Sequence, residues 1–345
     1  MERIPQSPPK IQPIPLNIDR PLWSVMIPVY NCSEFITDAL NSVLIQDLGE
    51  NLMQIEVIDD CSTDADVESL VKKVGGERVM YYRQQKNVGS LRNFETCINR
   101  AKGKLVHILH GDDRVKSGFY DKISNLFKIH PEAGAAFCRY HFIDENGEIK
   151  KEGKYNHNRE GLLKDALFVM SAEQPTQYVA TVVKREVYEK LGSFYGVVFG
   201  EDWEMWVRIA KNYPIAYTPS ILADYRRHIG SISYPEKETG QNVIDLGITI
   251  LNIEKQLPED MRHIMRDQKL ACKKSFIKSA NLIWQQISDR KKANQLIKKA
   301  ISIKTSDRNF YFLLFKFYLK VIFNIKKKNV VHSNYFSKKI SPPKL

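Results

Sequence analysis

Lys104-Leu-Val-His-Ile-Leu-His-Gly-Asp-Asp113 is a short apolar run that stops at a glycine and two adjacent carboxylates. A run of this length with such a boundary reads as a buried parallel strand. Open α/β sheets take their ligands in the crevice beyond the C-terminal ends of such strands, so Asp112 and Asp113 are expected to face a ligand. Two carboxylates with room beside them suit a hard divalent cation, Mg2+ or Mn2+, that keeps some waters and completes its shell with substrate phosphate oxygens. Taken alone, Gly-Asp-Asp-Arg is more simply a polar turn after a strand. The sequence on either side reverses that preference.

Upstream, Ser24-Val-Met-Ile-Pro-Val-Tyr-Asn31 reads as a strand. Asn31 and Glu34 have capping-box spacing ahead of a helix carrying Ile36, Ala39, Leu40, Val43 and Leu44. Gln54–Ile58 is a second strand running into Asp59-Asp60-Cys-Ser-Thr-Asp64, where Ser62, Thr63 or Asp64 can cap a helix through Val74. A strand at Val79–Tyr82 precedes Asn87-Val-Gly-Ser-Leu-Arg-Asn93 and an amphipathic helix with Leu91, Phe94 and Ile98 on one face. Strand and helix alternate throughout, which implies βαβ units and a mostly parallel sheet covered on both faces.

Downstream, a helix carries Phe119, Ile123, Leu126 and Phe127, and a strand follows near Ala135–Phe142. The turn Asp144-Glu-Asn-Gly147 predicts a hairpin, so the sheet should become mixed there. Lys150–Gln177 is polar, then helical, and carries little signal. Gly200-Glu-Asp-Trp-Glu-Met-Trp206 opens a helix on Glu201 and Asp202, and Asp224-Tyr-Arg-Arg-His228 forms a third landmark. From Gln241 to Ile303 the pattern is helical and basic, and Phe310–Ile325 is an aromatic, apolar helix ending in lysines 326–328.

In 345 residues, 52 Lys and Arg face 40 Asp and Glu, a net +12 concentrated late in the chain. Such a surplus suits a phosphate-bearing substrate, nucleic acid or an anionic membrane equally. Five scattered cysteines without CxxC pairing favour reduced thiols in a cytoplasmic protein over a disulfide frame or zinc site. No apolar run reaches the length of a membrane span. The expected organisation is a disordered, proline-rich lead-in over 1–20 and an α/β domain over 21–235. That domain falls into two halves, 21–115 and 116–235, which the resemblance given next marks as the nucleotide-sugar half and the acceptor half of a catalytic domain. A helical basic extension over 240–328 and a tail over 329–345 complete the chain.

Together, Val25-Met-Ile-Pro-Val-Tyr-Asn31, Val57-Ile-Asp-Asp-Cys-Ser-Thr-Asp64, Asn87-Val-Gly89 with Arg92-Asn93, Leu109-His-Gly-Asp-Asp113, Gly200-Glu-Asp202 and Tyr225-Arg-Arg-His228 resemble the family 2 glycosyltransferases. The resemblance covers roughly the first 235 residues and implies the GT-A fold, a Rossmann-like mixed sheet. It implies transfer of a single sugar, with inversion, from a nucleotide-sugar to a hydroxyl of a glycan or lipid-linked glycan. By it, Asp60 bonds the base, Pro28 and Tyr30 line its pocket, and Asn87 and Arg92 hold the nucleotide-sugar. Arg92 either binds phosphate or pairs with nearby acids. Asp112 contacts the ribose, Asp113 the metal, and His228 reaches the diphosphate or metal. Asp202 is the catalytic base, and Glu201 and Trp203 border the acceptor, Trp203 serving either as a sugar platform or as core. UDP- or dTDP-sugars are the expected donors, because the family commonly uses them. The chain departs from many relatives at His110, where they carry an aspartate. The Gln-x-x-Arg-Trp motif and membrane spans of processive synthases are missing, which favours one transfer per encounter.

The residue types suit this chemistry on their own. A cation on Asp113 neutralises a diphosphate leaving group, and an inverting displacement needs one carboxylate to take the acceptor's proton. Two rivals remain. A sugar-nucleotide nucleotidyltransferase would need a glycine-rich phosphate loop that Ile27–Asn31 does not supply. A basic nucleic-acid-binding protein would use the C-terminal lysines, although no nucleic acid is expected as a partner of a transferase. The basic helix could equally hold the protein peripherally on the inner face of an anionic membrane or simply cap the domain.

Overall fold

The computed structural model describes residues 2–15, 18–154, 158–231, 240–305 and 307–326. It divides into two compact units, Met1–Lys269 and Leu270–Leu345. The first is built on a single ten-stranded sheet. Its leading half is the alternation expected from sequence: β1 (Trp23–Val29), α1 (Ile36–Leu44), β2 (Met53–Asp59), α2 (Val67–Gly75), β3 (Met80–Arg83), α3 (Ser90–Arg100) and β4 (Leu105–Ile108). β1, β2 and β4 are buried along their whole length, which is why they read as unbroken apolar runs. They run parallel in the order β3-β2-β1-β4. The chain winds first one way and then the other from β1, so a crevice opens between the C-terminal ends of β1 and β4, where Pro28 and Asp112 stand.

The second half comprises β5 (Arg114–Val115), α4 (Phe119–Ile129), β6 (Ala135–Ile143), β7 (Ile149–Glu152), β8 (Gly161–Leu162), α5 (Ala166–Ala172), β9 (Thr181–Lys184), α6 (Arg185–Leu191), α7 (Glu201–Asn212) and β10 (Ile215–Arg226). β9 inserts antiparallel between β4 and β6, and β10 runs parallel to β6. The hairpin predicted at Asp144–Gly147 joins β6 to β7. The sheet is therefore mixed beyond β4. α8 (Gln241–Gln256) belongs to this unit, which runs to Lys269. α9 (Met265–Ile287) continues into the second unit, which holds α10 (Arg290–Ser302) and α11 (Arg308–Ile322).

Three local expectations differ from what is found. Asn31 forms no capping box: it is left-handed at φ 50°, and its Oδ1 accepts from Thr63 N–H at 2.8 Å, tying the ends of β1 and β2 together. The cap of α2 is Asp66, whose carboxylate accepts from Ser69 N–H. The lead-in read as disordered packs instead as an extended strap. Ile11 and Pro5 are buried, and the carbonyls of Pro5 and Pro9 accept from Gly196 and Ser193 N–H. Proline removes donors but leaves carbonyls, so an extended segment without secondary structure is still pinned by bonds from its neighbours. The tail 329–345, lysines 327 and 328, and residues 232–239 lie outside the described residues.

Candidate active site

The crevice opens into a cavity of about 830 Å³, with Pro28, Tyr30, Asp60, Asn87, Asp112, Asp113, Glu201, Asp202 and His228 all on its wall. Four connecting segments position them. After β4 the chain turns sharply at Gly111, where a Cβ would meet Val29 Cγ1 at 2.6 Å and Cys32 Sγ at 2.9 Å, so only glycine allows the acids to follow so closely on β1. Asp113 is 1% exposed. Its Oδ1 accepts from Arg226 N–H at 2.8 Å, while its Oδ2 has no partner. Burial, reinforced by the neighbouring Asp112 charge, pushes the Asp113 carboxyl well above its ordinary range.

His110 Nε2 is likewise buried without a partner, and His110, Asp112 and Asp113 each bring a ligand atom within 4.8 Å of the others. Two orphaned buried ligand atoms in one oxygen-and-nitrogen cluster fit a divalent cation, since such groups otherwise carry an uncompensated desolvation cost. His228, read as reaching the diphosphate or metal, pairs with Asp112 here: its Nε2 lies 3.0 Å from Asp112 Oδ2 and its ring packs on Phe35. Burial works against ionised Asp112, but the His228 hydrogen bond and the nearby imidazoles bring it below its ordinary range. Arg226 donates Nε–H to the Asp112 carbonyl and a further N–H to Asp38, locking the end of β10 onto the acidic turn.

At the other end, Asp59 and Asp60 separate in role. Asp59 is filled by Ser62, Tyr81 and Arg83 and is a structural acid. Asp60 accepts from Val88 N–H at 2.7 Å and Gly89 N–H at 2.9 Å and faces the cavity. Burial raises its carboxyl despite those two donors. Asn87 holds this loop by donating to the Asp60 carbonyl. Arg92 does not reach the cavity wall: it pairs with Glu95 at 2.6 Å and donates to the Glu2 carbonyl. The guanidinium in its place is Arg3, delivered by the strap, which donates to Asn87 and lies over Gly89.

Gly200, at φ 93°, turns the chain into α7 so that Glu201 and Asp202 stand in the first turn. A helix N-terminus favours a carboxylate by only about 0.3–1 kcal/mol at an exposed site. Burial outweighs it here, for Asp202 is 6% exposed and its carboxyl is pushed up to about 7. Its two donors, Trp203 N–H and the Gln174 amide, are both neutral. Glu201 accepts from Tyr178 OH at 3.1 Å. Trp203 is core: it is 3% exposed, donates its indole N–H to the Met170 carbonyl, and is absent from the cavity wall. Gln174, Gln177, Tyr178 and Arg3 were not singled out from sequence. The first three fall in or beside the uninformative segment, and a lone arginine among prolines has no periodicity to mark it.

Solved structures share this mixed α/β architecture. Staphylococcus aureus TarS 1–349 in complex with UDP-GlcNAc superposes with a TM-score of 0.59 at 15% identity, covering 88% of each chain. The mannosyltransferase PcManGT from Pyrobaculum calidifontis, in complex with GDP-Man and Mn2+, gives 0.55 at 16%, covering 92% of this chain and 91% of that one. The fold is GT-A. Residues 24–192 match the family model described as Glycosyl transferase family 2. An uncharacterized glycosyltransferase of Methanocaldococcus jannaschii is 26% identical over 61% of this chain and 72% of its own length. An uncharacterized protein of Mycobacterium tuberculosis is 26% identical over 67% and 75%. Residues 24–192 therefore carry the likeness to the family 2 glycosyltransferases, and that match together with the relatives' names supports a transferase enzyme.

Proposed function

We propose that the protein transfers one sugar from a nucleoside-diphosphate donor to a hydroxyl of a glycan or lipid-linked glycan, with inversion and dependence on a divalent cation. The observation that carries this reading is the pairing, in one cavity, of a buried carboxyl held at about 7 with two orphaned ligand atoms on His110 and Asp113. Asp202 takes the acceptor's proton. Near neutral pH a carboxyl at about 7 is both partly ionised and basic enough to do so. Gln174 and Trp203 N–H orient it, and Tyr178 orients Glu201 beside it. Asp113 and His110, with Asp112 held by His228, would hold Mg2+ or Mn2+, which supplies charge neutralisation for the departing diphosphate. The arrangement needs no second acidic carboxyl to protonate a leaving oxygen, so hydrolysis is not its natural chemistry.

Asp60 and Arg3 bear on the donor base. An acceptor-only carboxylate beside a donor-only guanidinium complements an imino N–H flanked by a carbonyl. Uracil, thymine and guanine present that edge, while the amino group beside a ring nitrogen in adenine and cytosine offers a donor and an acceptor to the same pair. UDP and dTDP are the donors we propose, with GDP, CDP and ADP the competitors that the panel below separates. Pro28 and the half-exposed Tyr30 ring line the same region.

The test is a thermal-shift panel of UDP, dTDP, GDP, CDP and ADP, each with and without Mn2+, on wild type and Asp113→Ala. A ligand at a hundred times its dissociation constant stabilises by about 2.7 kcal/mol. Cation-dependent stabilisation by an imino-bearing diphosphate, lost in the variant, is the expected result. Release of pyrophosphate from a nucleoside triphosphate and a sugar phosphate would instead establish a nucleotidyltransferase.

A further inference from the structure

The charge of this chain is divided very unevenly. Residues 270–345 hold 18 Lys and Arg against two Asp, so this stretch carries +16 and residues 1–269 carry −4. Within the second unit, α11 has apolar residues on two faces. Phe310, Phe317 and Val321 are buried, with Phe310 covered by the Lys273 ammonium at 4.1 Å. A second stripe, roughly 110° round the helix from the first, comprises Tyr311, Phe315, Tyr318 and Ile322 at i, i+4, i+7 and i+11 and is exposed, as are Phe312, Phe323 and Ile325. Phe315 is 59% exposed, Ile322 67% and Phe323 68%.

A contiguous aromatic stripe left open on a helix marks an interaction surface. Its surroundings select the partner. Arg308 and Lys316 are exposed beside it, and Lys316 lies over the Phe312 ring at 4.2 Å. A second copy presenting the same strongly basic face would be repelled. Nucleic acid bases would stack on the rings and leave Ile322 and Ile325 exposed. Bulky aromatics with flanking lysines instead suit the headgroup boundary of an anionic bilayer, where rings enter the acyl edge and ammonium groups stay with lipid phosphates. α11 is not a span: among the described residues no helix is long and apolar enough to cross a membrane.

We infer that the exposed face of α11 lies in the surface of an anionic membrane, through Tyr311, Phe315, Tyr318 and Ile322 with Lys316 at its edge. This favours the lipid-linked branch of the acceptor reading above and rests on that reading only there, because binding is measured without any sugar transfer.

The experiment is co-sedimentation of the full chain with vesicles of phosphatidylcholine alone or with 30% phosphatidylserine, at physiological salt. Wild type, Phe315→Ser/Ile322→Ser and Lys316→Gln are compared, with equal melting temperatures as the folding control. Wild type partitions onto the anionic vesicles and not the neutral ones. Partitioning falls at least tenfold in the double variant and about fivefold in Lys316→Gln, one surface lysine contributing about that factor. Equal partitioning of wild type and the double variant overturns the inference. So does a dimer, or an RNA complex, that the double substitution abolishes while vesicle binding is absent. Loss of nucleotide response in the thermal-shift panel with vesicle binding intact would overturn the catalytic reading alone.

Discussion

Replacing Asp202 with asparagine separates the charge of the proposed base from its shape. An aspartate in an unfolded chain titrates near 3.9, whereas burial holds Asp202 at about 7. Between those values the native protein keeps a proton that the unfolded chain has released, so this group makes stability fall as pH rises through the window. A displacement of about 3 units amounts to about 4 kcal/mol, fully expressed above pH 7 and absent below pH 4. The amide has one acceptor oxygen for two donors, Trp203 N–H and the Gln174 amide. It therefore loses about 1–3 kcal/mol at every pH.

The two effects separate by pH. In urea denaturation at pH 4.5, Asp202→Asn is the less stable protein. Between pH 4.5 and pH 8 it gains about 3 kcal/mol relative to wild type, because only wild type bears the cost of ionising a buried carboxyl. Over the same range wild-type transfer falls about tenfold per unit below pH 7, and the variant transfers nothing at any pH. A stability difference constant to within about 0.5 kcal/mol across the range would mean that Asp202 titrates as an exposed carboxyl does. The argument for it as a base tuned by burial would then fail, whatever the activity of the variant.

Arg3→Ala removes the guanidinium over Gly89 and should weaken UDP or dTDP binding by about ten- to a hundredfold, the range of a charge-assisted hydrogen bond. Calorimetric titration checks this, and Arg92→Ala serves as the comparison that leaves affinity within about threefold. Trp203→Ala should lower unfolding free energy by about 3–5 kcal/mol as a core truncation, measured by urea denaturation. An acceptor KM raised at unchanged stability would instead restore Trp203 to the acceptor site.

The parallel half of the sheet is legible in the sequence because β1, β2 and β4 are covered on both faces and each ends at a polar landmark. The hairpin at Asp144–Gly147 is legible for a local reason, its turn chemistry. The strap over 2–15 is not. Its order comes from bonds to Ser193 and Gly196, nearly two hundred residues away, and from the fit of Pro8 and Pro9 against Gly192. Composition sees only prolines. The sequence leaves the choice between platform and core at Trp203 open for the same kind of reason, since whether a ring beside an acid is wall or core depends on Met170, which shares no sequence pattern with it.

The acid pairs show where that boundary lies. Asp59–Asp60, Asp112–Asp113 and Glu201–Asp202 are each adjacent carboxylates at the end of a strand or the start of a helix, and local sequence treats the members of a pair alike. Distant side chains tell them apart. Tyr81 and Arg83 on β3 consume Asp59 and leave Asp60 to the cavity. His228, beyond β10, consumes one oxygen of Asp112, while Asp113 keeps an oxygen with no partner. Tyr178 occupies Glu201, and Asp202 is left with neutral donors that do not offset its burial. In each pair the member whose charge is answered by a cation, an imidazole or a hydroxyl holds the site's shape, and its neighbour is left free to react or to bind. Motif spacing therefore locates the three pairs, but choosing the working member needs the partners that only the fold brings to them.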